Sequence, residues 1–237
     1  MIDEVIARAY MVWRENAGLL IFIGILSWTL LFLLVLAFSV VVGLIAVAFG
    51  TTDPQAIPEW VVTTVLVASS TLMVAFSING NYAVRRKILP LSRAIRFSLS
   101  RILETGTAIL FFAFPAVTGT LIALLVITLL GEAWSWLGFV FAVVGILGSV
   151  LFTLMPYYAP EKGWREAMER AHVVGRKIYI TLLLLQVFFA LIYITILSLF
   201  ADPLTGTIVL TLVDVTFLMH LKHQTFLELI DSEGARG

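Results

Sequence analysis

A single carboxylate interrupts a strongly apolar stretch near the end of the chain. Asp214 lies within residues 203–221, eight positions before Lys222. An ionised side chain at the centre of a membrane helix costs about 2.5–3.5 kcal/mol on insertion scales, so this group must be protonated, paired or facing water. We expect a proton relay, a cation site, or a buried carboxylic acid. Such an acid would be hydrogen-bonded to Thr211, Gln186 or a tyrosine of a neighbouring helix, or would form a salt bridge with an arginine. The candidate polar site comprises Asp214, Thr211, Gln186 and His220.

The three histidines are poorly arranged for metal binding. His220 and His223 are three residues apart, and His172 lies in a separate polar segment. Zinc takes four protein ligands in structural sites and three plus water in catalytic sites, and no carboxylate close to these histidines completes such a set. The chain has no cysteine, which excludes thiolate chemistry and iron–sulfur clusters. We expect no metal site and no cofactor.

An enzymatic site would need an activated nucleophile, a pair of carboxylates or a set of metal ligands. The apolar segments offer none of these constellations, because Asp214 is the one ionisable group deep within them. The sequence also lacks a phosphate-binding loop of the form GxxxxGK[ST]. We therefore expect no catalytic residues.

The composition excludes a water-soluble domain. Hydrophobic residues make up 61% of the 237 residues and charged residues 13%, whereas soluble domains are roughly 25% charged. The mean hydropathy is +1.06. The formal net charge is zero, and nothing in the charge pattern indicates nucleic-acid binding.

Six apolar runs are long enough to cross a bilayer, which takes about 20 residues per helix. Because lipid offers no partner to backbone N–H and C=O groups, each run is predicted to be helical, and the chain to be an all-α polytopic membrane protein. The first run exceeds one straight crossing, so it is predicted to tilt, protrude or turn near Gly43 before residues 51–54 break it. The predicted spans are residues 17–49, 60–82, 105–130, 133–158, 178–201 and 203–221.

Positive charge marks one side of the membrane. All fifteen Lys and Arg residues lie in the N-terminal segment, the second and fourth connections and the C-terminal tail, while the other connections carry only acidic charge. Short loops rich in Lys and Arg stay on the cytoplasmic side, so we predict a multi-pass plasma-membrane protein with both termini in the cytoplasm. Such residues also attract anionic lipid headgroups. The candidate headgroup contacts are Arg85, Arg86, Lys87, Arg93, Arg96 and Arg101.

Each predicted hairpin follows a polar segment with helical amphipathicity, which is typical of a helix lying flat at the membrane surface. The clearest such segment is residues 160–178, in which Pro160 fits the first turn. The pattern RAxxVxR begins at both Arg8 and Arg170. It indicates either convergence in composition or a threefold repeat of interfacial helix plus hairpin within one membrane domain. We predict the repeat, with units at residues 1–84, 85–160 and 161–230 and a tail at 231–237.

The stretch MPYYAP at residues 155–160, followed by residues 163–177, resembles a group of prokaryotic six-helix membrane families. It is similar to the membrane domain attached to some bacterial glycerophosphodiester phosphodiesterases, where a short amphipathic helix leads from a Pro- and aromatic-rich span end into the next hairpin. The resemblance implies a six-helix fold. It transfers no active site, because no stretch outside the spans is long enough to form the soluble phosphodiesterase domain.

These observations predict a non-enzymatic membrane protein that handles a lipid or another amphiphilic cargo, or that serves as the membrane subunit of a larger assembly. The alternative is a small transporter or channel that uses Asp214, and a third class is a membrane-embedded enzyme acting on lipid. The spans carry few polar groups, which disfavours an ion-driven carrier of polar solutes. The expected partners are membrane lipids, a second copy of the chain or other membrane subunits, and no nucleic acid.

Overall fold

The computed structural model describes residues 2–48, 58–88 and 90–234, and no strand occurs within these ranges. A 3-10 turn (Glu132–Trp134) precedes the sixth helix, and a π-helical turn (Asp214–Leu218) joins the last two helices. The described helices, numbered in chain order, are α1 (Ile2–Glu15), α2 (Ala17–Ala48), α3 (Glu59–Arg85), α4 (Leu91–Ser100), α5 (Ile102–Leu130), α6 (Ser135–Val150), α7 (Met155–Lys177), α8 (Tyr179–Ser198), α9 (Pro203–Val213) and α10 (Met219–Gly234).

Six helical units are long and apolar enough to cross a membrane. They are α2, α3, α5, α6 with its 3-10 turn, α8, and α9 together with α10. Many of their large apolar side chains face outward, where a soluble protein would carry mainly polar residues. The prediction of an all-helical protein with six helices of membrane-spanning length is therefore confirmed.

The sixth span is longer than its hydropathy indicates. α9, the π-helical turn and α10 form one helical unit from Pro203 to Gly234, so Lys222 lies inside the helix and not in a tail. Polar residues end the apolar run without ending the helix, because α3 supplies hydrogen bonds and an ion pair to them. The predicted end of this helix at Leu221 is corrected to Gly234, and most of the added length is buried.

The fourth span ends earlier than predicted. α6 stops at Val150, and residues 151–154 form turns before α7 begins. α7 is broken at Gly163, whose φ of 75° and ψ of 164° are accessible mainly to glycine. Pro160 therefore lies in the first half of α7, and the amphipathic helix starts after Gly163 instead of at Pro160.

α5 and α6 approach each other closely because small residues lie at their contact. A Cβ atom built on Gly119 would come within 2.5 Å of the carbonyl oxygen of Phe141. One built on Gly145 would come equally close to the carbonyl oxygen of Pro115. Small residues let helix backbones pack in a membrane, where lipid is as apolar as leucine and drives no hydrophobic association.

The amphipathic helices α1 and α4 pack onto the spans. α1 contacts α10, with Val5 and Ala9 buried between them, and α4 contacts α3 with Ala94 buried. α2 is helical through Gly43 to Ala48. The predicted break at residues 51–54 lies outside the described residues.

The two ends of the bundle differ in charge. One end, called the basic end below, carries Arg85, Arg86, Lys162 and Arg170 around two surface pockets. At the opposite end, the Asp202 carboxylate accepts hydrogen bonds from the Thr205 hydroxyl at 2.6 Å and the Thr205 backbone N–H at 2.7 Å, which caps α9. These hydrogen bonds hold the pKa of Asp202 below its usual value.

Candidate functional site

The polar end of α3 is buried against α4 and α5. Asn79 is fully buried, and its side-chain oxygen accepts a hydrogen bond from the Thr105 hydroxyl at 2.7 Å. Its Nδ2 donates to the backbone oxygen of Ser98 at 3.0 Å. Asn79 therefore fixes the start of α5 and the end of α4 relative to α3, and residues on α3 and α5 are held in register.

Side-chain hydrogen bonds also join α3 to α10. The Asn81 side chain lies 3.0 Å from His220 Nδ1, and Gln224 Nε2 donates to both the backbone and the side-chain oxygen of Asn81 at 3.2 Å. His220 Nε2 lies 3.1 Å from the backbone oxygen of Val215. Since a carbonyl oxygen accepts only, Nε2 carries the proton, and Nδ1 accepts from the Asn81 amide.

The π-helical turn leaves backbone oxygens that accept hydrogen bonds from the side chains of His220 and Trp13. Val215 O accepts from His220, and Thr216 O accepts from the Trp13 indole N–H at 3.2 Å. Gly24 of α2 lies so close to Val215 O that a Cβ atom there would overlap it. The irregular turn is thus held from two sides, by α1 and α2, and its freed carbonyl groups are satisfied as a lipid-embedded segment requires.

The four residues of the predicted polar site do not form one cluster. Asp214 accepts a hydrogen bond from the Tyr193 hydroxyl of α8, so a tyrosine is the neighbour that stabilises it. The Thr211 hydroxyl donates to the Thr207 backbone at 2.8 Å, and His220 faces α3. Gln186 lies elsewhere, beside a cavity.

That cavity is lined by α3, α5, α7, α8, α10 and the turn at residues 151–154, and has a volume of about 180 Å³. One part of its wall is apolar, from Val74, Ile78, Ile109, Phe112, Pro156 and Phe226. The other part carries polar side chains from Thr153, Tyr157, Gln186, Lys222 and His223. Engineered cavities of roughly 150 Å³ hold benzene, so this space is large enough for a group of several heavy atoms.

Tyr157 and His223 form a buried pair at the polar part of the wall. The Tyr157 hydroxyl lies 3.0 Å from His223 Nδ1, and their rings contact each other. Burial raises the pKa of the Tyr157 phenol, so the hydroxyl keeps its proton. His223 Nε2 is buried without a hydrogen-bond partner among the described residues.

Lys222 is the charged member of the cavity wall. Its ammonium and the Asp214 carboxyl group attract each other electrostatically. No carboxylate in the described ranges lies within ion-pairing distance of Lys222, and the lining residues include no Asp or Glu. The cavity therefore carries one cation and no anion of its own.

The basic residues predicted to contact lipid headgroups fall into two groups. Arg85 is paired with Glu228 and Asp231, and Arg86 with Asp231 at 3.0 Å, so these two arginines hold α10 against α3. The remaining four lie at the surface near α4, with Lys87, Arg93 and Arg96 exposed and Arg101 half-buried. The exposure that a headgroup contact needs is found at Arg86, Lys87, Arg93 and Arg96.

Sequence reasoning missed His223, Lys222 and Tyr157 as parts of one site. His172 does not line this cavity and stacks on Phe152 with 5.8 Å between ring centroids. The available signal was a run of polar residues, His220, Lys222, His223 and Gln224, at helical spacing directly after an apolar run. Such a run is typical of a helix that continues and presents polar side chains inward.

Comparison of the chain with protein-family models, with curated proteins and with solved structures gives no match. The resemblance to the membrane domain of glycerophosphodiester phosphodiesterases therefore stays a prediction. The geometry of the cavity is the basis for a functional conclusion.

Proposed function

We propose that the protein is a non-enzymatic integral membrane protein that holds a lipid or another amphiphile between α3 and α5. The observation that carries the proposal is the cavity of about 180 Å³. Its wall is apolar on one side and rich in hydrogen-bonding groups on the other. A ligand with a polar head and an apolar body matches both parts of such a wall.

A larger groove of about 470 Å³ lies between the same two helices and supports the proposal. Thr71 and Gly106 line this groove, and each is three residues from a residue that lines the cavity, Val74 on α3 and Ile109 on α5. The Thr71 hydroxyl donates to a backbone oxygen of α3 at 2.8 Å, and its methyl group lies 3.8 Å from a Cβ atom placed on Gly106, so this methyl group faces the groove. The proposed arrangement places the head in the cavity and the acyl chain in the groove.

The proposed orientation follows from charge. With the basic end on the cytoplasmic side of the plasma membrane, both termini are cytoplasmic and the cavity lies toward the inner leaflet. We also propose the threefold repeat of residues 1–84, 85–160 and 161–230. The contacts of α2 with α3, α5 with α6 and α8 with α9 support hairpins at the expected places.

Mass spectrometry of lipids that co-purify with the protein in mild detergent tests the proposal. We expect the wild type to retain one amphiphile per chain. Gly106→Leu should abolish retention, because a Cβ atom at Gly106 lies 3.8 Å from Leu72 and Thr71, and the further carbons of leucine would fill the groove. Gly18→Leu is the matched control, since nothing lies within 4 Å of a Cβ atom there.

Two outcomes overturn this function. A wild-type protein that retains no amphiphile above the level of the Gly106→Leu variant does not hold one in this site. If a second membrane protein co-purifies in stoichiometric amount and no amphiphile does, the chain is a subunit of an assembly instead.

A transporter or channel that uses Asp214 is the second candidate. The π-helical turn that begins at Asp214 favours it, because π-bulges in α-helices occur frequently at functional sites. Proton flux into reconstituted vesicles, driven by a pH gradient, tests this candidate. Flux that Asp214→Asn abolishes supports it, and flux that the substitution leaves unchanged removes Asp214 from the mechanism.

A further inference from the structure

The polar part of the cavity wall presents more hydrogen-bond donors than acceptors. Lys222 supplies an ammonium group, which has three N–H donors and no acceptor. Among the residues that the structure describes, the Lys222 ammonium group has no hydrogen-bond partner and no ion-pair partner within 4 Å. Asp214 attracts it electrostatically from a greater distance. Lys222 is half-buried in the cavity wall, and an ammonium group shielded from water is stabilised by a counter-charge or by acceptors, so this wall favours an anionic occupant.

His223 adds a second donor. The Tyr157 hydroxyl is a donor that must be satisfied when buried, and His223 Nδ1 is its partner at 3.0 Å. Nδ1 therefore accepts, which leaves the ring proton of a neutral imidazole on Nε2. His223 is 4% exposed, and its Nε2 is one of the buried polar atoms without a partner in the described part of the chain.

Thr153 adds a third donor. Its Oγ1 accepts a hydrogen bond from Gln186 Nε2 at 3.2 Å, so the hydroxyl hydrogen is left for another acceptor. Thr153 is 3% exposed. Two donors from α10 and one from the turn at residues 151–154 thus line the same cavity, and the described lining residues include no carboxylate.

We propose that this cavity binds an anionic oxygen group, a carboxylate or a phosphate, that forms the head of the amphiphile. The inference rests on the proposed function, which it narrows from amphiphiles in general to acidic ones. Lys222 would neutralise the charge, and His223 Nε2 and the Thr153 hydroxyl would donate to its oxygens. Hydrogen bonds to an ionised group are about twice as strong as those between neutral groups, so this donor set discriminates by charge.

Isothermal titration calorimetry with two probes of equal chain length tests the inference. The probes are oleate and oleyl alcohol, each added to purified protein in dodecyl maltoside. We expect oleate to bind at least about tenfold more tightly than the alcohol, because the alcohol forms no charge-assisted hydrogen bond. Equal Kd values overturn the inference while leaving the proposed function intact. If neither probe binds, the proposed function itself is wrong.

Substitutions at Lys222 and His223 test whether the preference for oleate over oleyl alcohol arises in the cavity. Lys222→Met should raise the Kd of oleate at least about tenfold and leave that of oleyl alcohol unchanged, and Lys222→Arg should restore tight oleate binding. Lys177→Met is the matched control, because Lys177 is exposed and does not line the cavity. His223→Phe, which keeps a ring but removes the Nε2 donor, should also weaken oleate selectively and serves if Lys222→Met fails to fold.

A final arm separates an acidic amphiphile from a free anion. Acetate and inorganic phosphate are titrated alone into the same protein. Oleate binding that exceeds acetate binding by at least about a hundredfold supports the amphiphile, because the chain then contributes apolar burial in addition to the charge. Acetate or phosphate binding as tight as that of oleate overturns the amphiphile as ligand, and unchanged oleate binding by Lys222→Met overturns the cavity as the site.

Discussion

Arg85 of α3 and Glu228 of α10 are joined side chain to side chain, although 143 residues separate them in the sequence. Arg85 Nε also donates to Asp231 at 2.7 Å, and the Arg85 side chain is only 12% exposed. Arg8 of α1 reaches the same Glu228 at 3.3 Å. This network attaches the long sixth span to α1 and α3 at the basic end, close to the cavity.

Loss of Glu228 should destabilise the protein. Glu228→Gln leaves Arg85 with a single carboxylate partner in a half-buried position, and hydrogen bonds to charged groups contribute about 1.5–3 kcal/mol. We expect the midpoint of thermal unfolding in detergent to fall by several degrees, measured by intrinsic tryptophan fluorescence.

The pair Arg170–Glu166 provides the control for this prediction. Its side chains are 51% and 47% exposed and lie at i,i+4 on α7, so Glu166→Gln should cost no more than about 0.5 kcal/mol. Equal effects of the two substitutions would contradict a special role for the Arg85 network.

Gly24 should tolerate no side chain. In Gly24→Ala the new Cβ atom would overlap Val215 O, and its distance to His220 Nε2 would be 2.8 Å, so α2 must move away from the π-helical turn. Overpacking of this kind costs about 1–3 kcal/mol. Thermal unfolding in detergent measures the loss, and amide hydrogen exchange should show faster exchange in residues 214–218.

Gly18→Ala is the matched control on the same helix. A Cβ atom at Gly18 meets nothing within 4 Å, and alanine favours a helix over glycine by about 1 kcal/mol. We expect this variant to be as stable as the wild type or more so. A Gly24→Ala protein that is equally stable would show that α2 does not pack onto the π-helical turn.

Hydropathy predicted the six spans because each must satisfy its backbone internally and expose apolar side chains to lipid. The same criterion failed where polar side chains are satisfied by another helix. The span was predicted to end at Leu221, with Lys222 in the tail, yet the helix continues because Asn81, Tyr157 and Arg85 form hydrogen bonds or ion pairs with its next turns. Partners that lie dozens of residues away leave no local signal in the sequence.

The same lack of a local signal limits what the sequence predicts about the candidate site. Asp214 was identified from its cost in lipid, and a tyrosine was among its expected partners, but nothing in the sequence specifies Tyr193 of α8. The cavity could not be foreseen, because it depends on how α3, α5 and α10 are placed in space. The third amphipathic helix was predicted to start at Pro160 because proline is typical of the first helical turn. The structure places its start after Gly163, whose positive φ breaks α7.

Labelling of single cysteines should place the basic end in the cytoplasm. The chain has no cysteine of its own, so Glu132→Cys in the turn before α6 and Glu169→Cys on α7 each give one exposed thiol. A membrane-impermeant maleimide should label the first variant in intact cells and the second only after permeabilisation. Labelling of Glu169→Cys in intact cells would reverse the proposed orientation.

The break in α7 should depend on Gly163 and on Glu104 of α5. Gly163 adopts a φ of 75°, and the Trp164 N–H that follows donates to Glu104 Oε2 at 3.1 Å, so a carboxylate from another helix caps the second half of α7. Gly163→Ala should cost about 1–3 kcal/mol of backbone strain. Glu104→Ala should cost about 1 kcal/mol for the lost cap, and Glu104→Gln less, because the amide oxygen still accepts.

Thermal unfolding distinguishes these three variants from Gly106→Ala, which has an ordinary helical environment with its nearest contacts at 3.8 Å. That control should be neutral or stabilising, since alanine favours a helix. The order of stability is expected to be Gly106→Ala, then Glu104→Gln, then Glu104→Ala and Gly163→Ala. Because the capped half of α7 also stacks Trp164 on Phe111 at 5.0 Å, loss of the cap should raise tryptophan exposure to a soluble quencher. Unchanged quenching in Glu104→Ala would mean that the stack, and not the cap, holds this helix on α5.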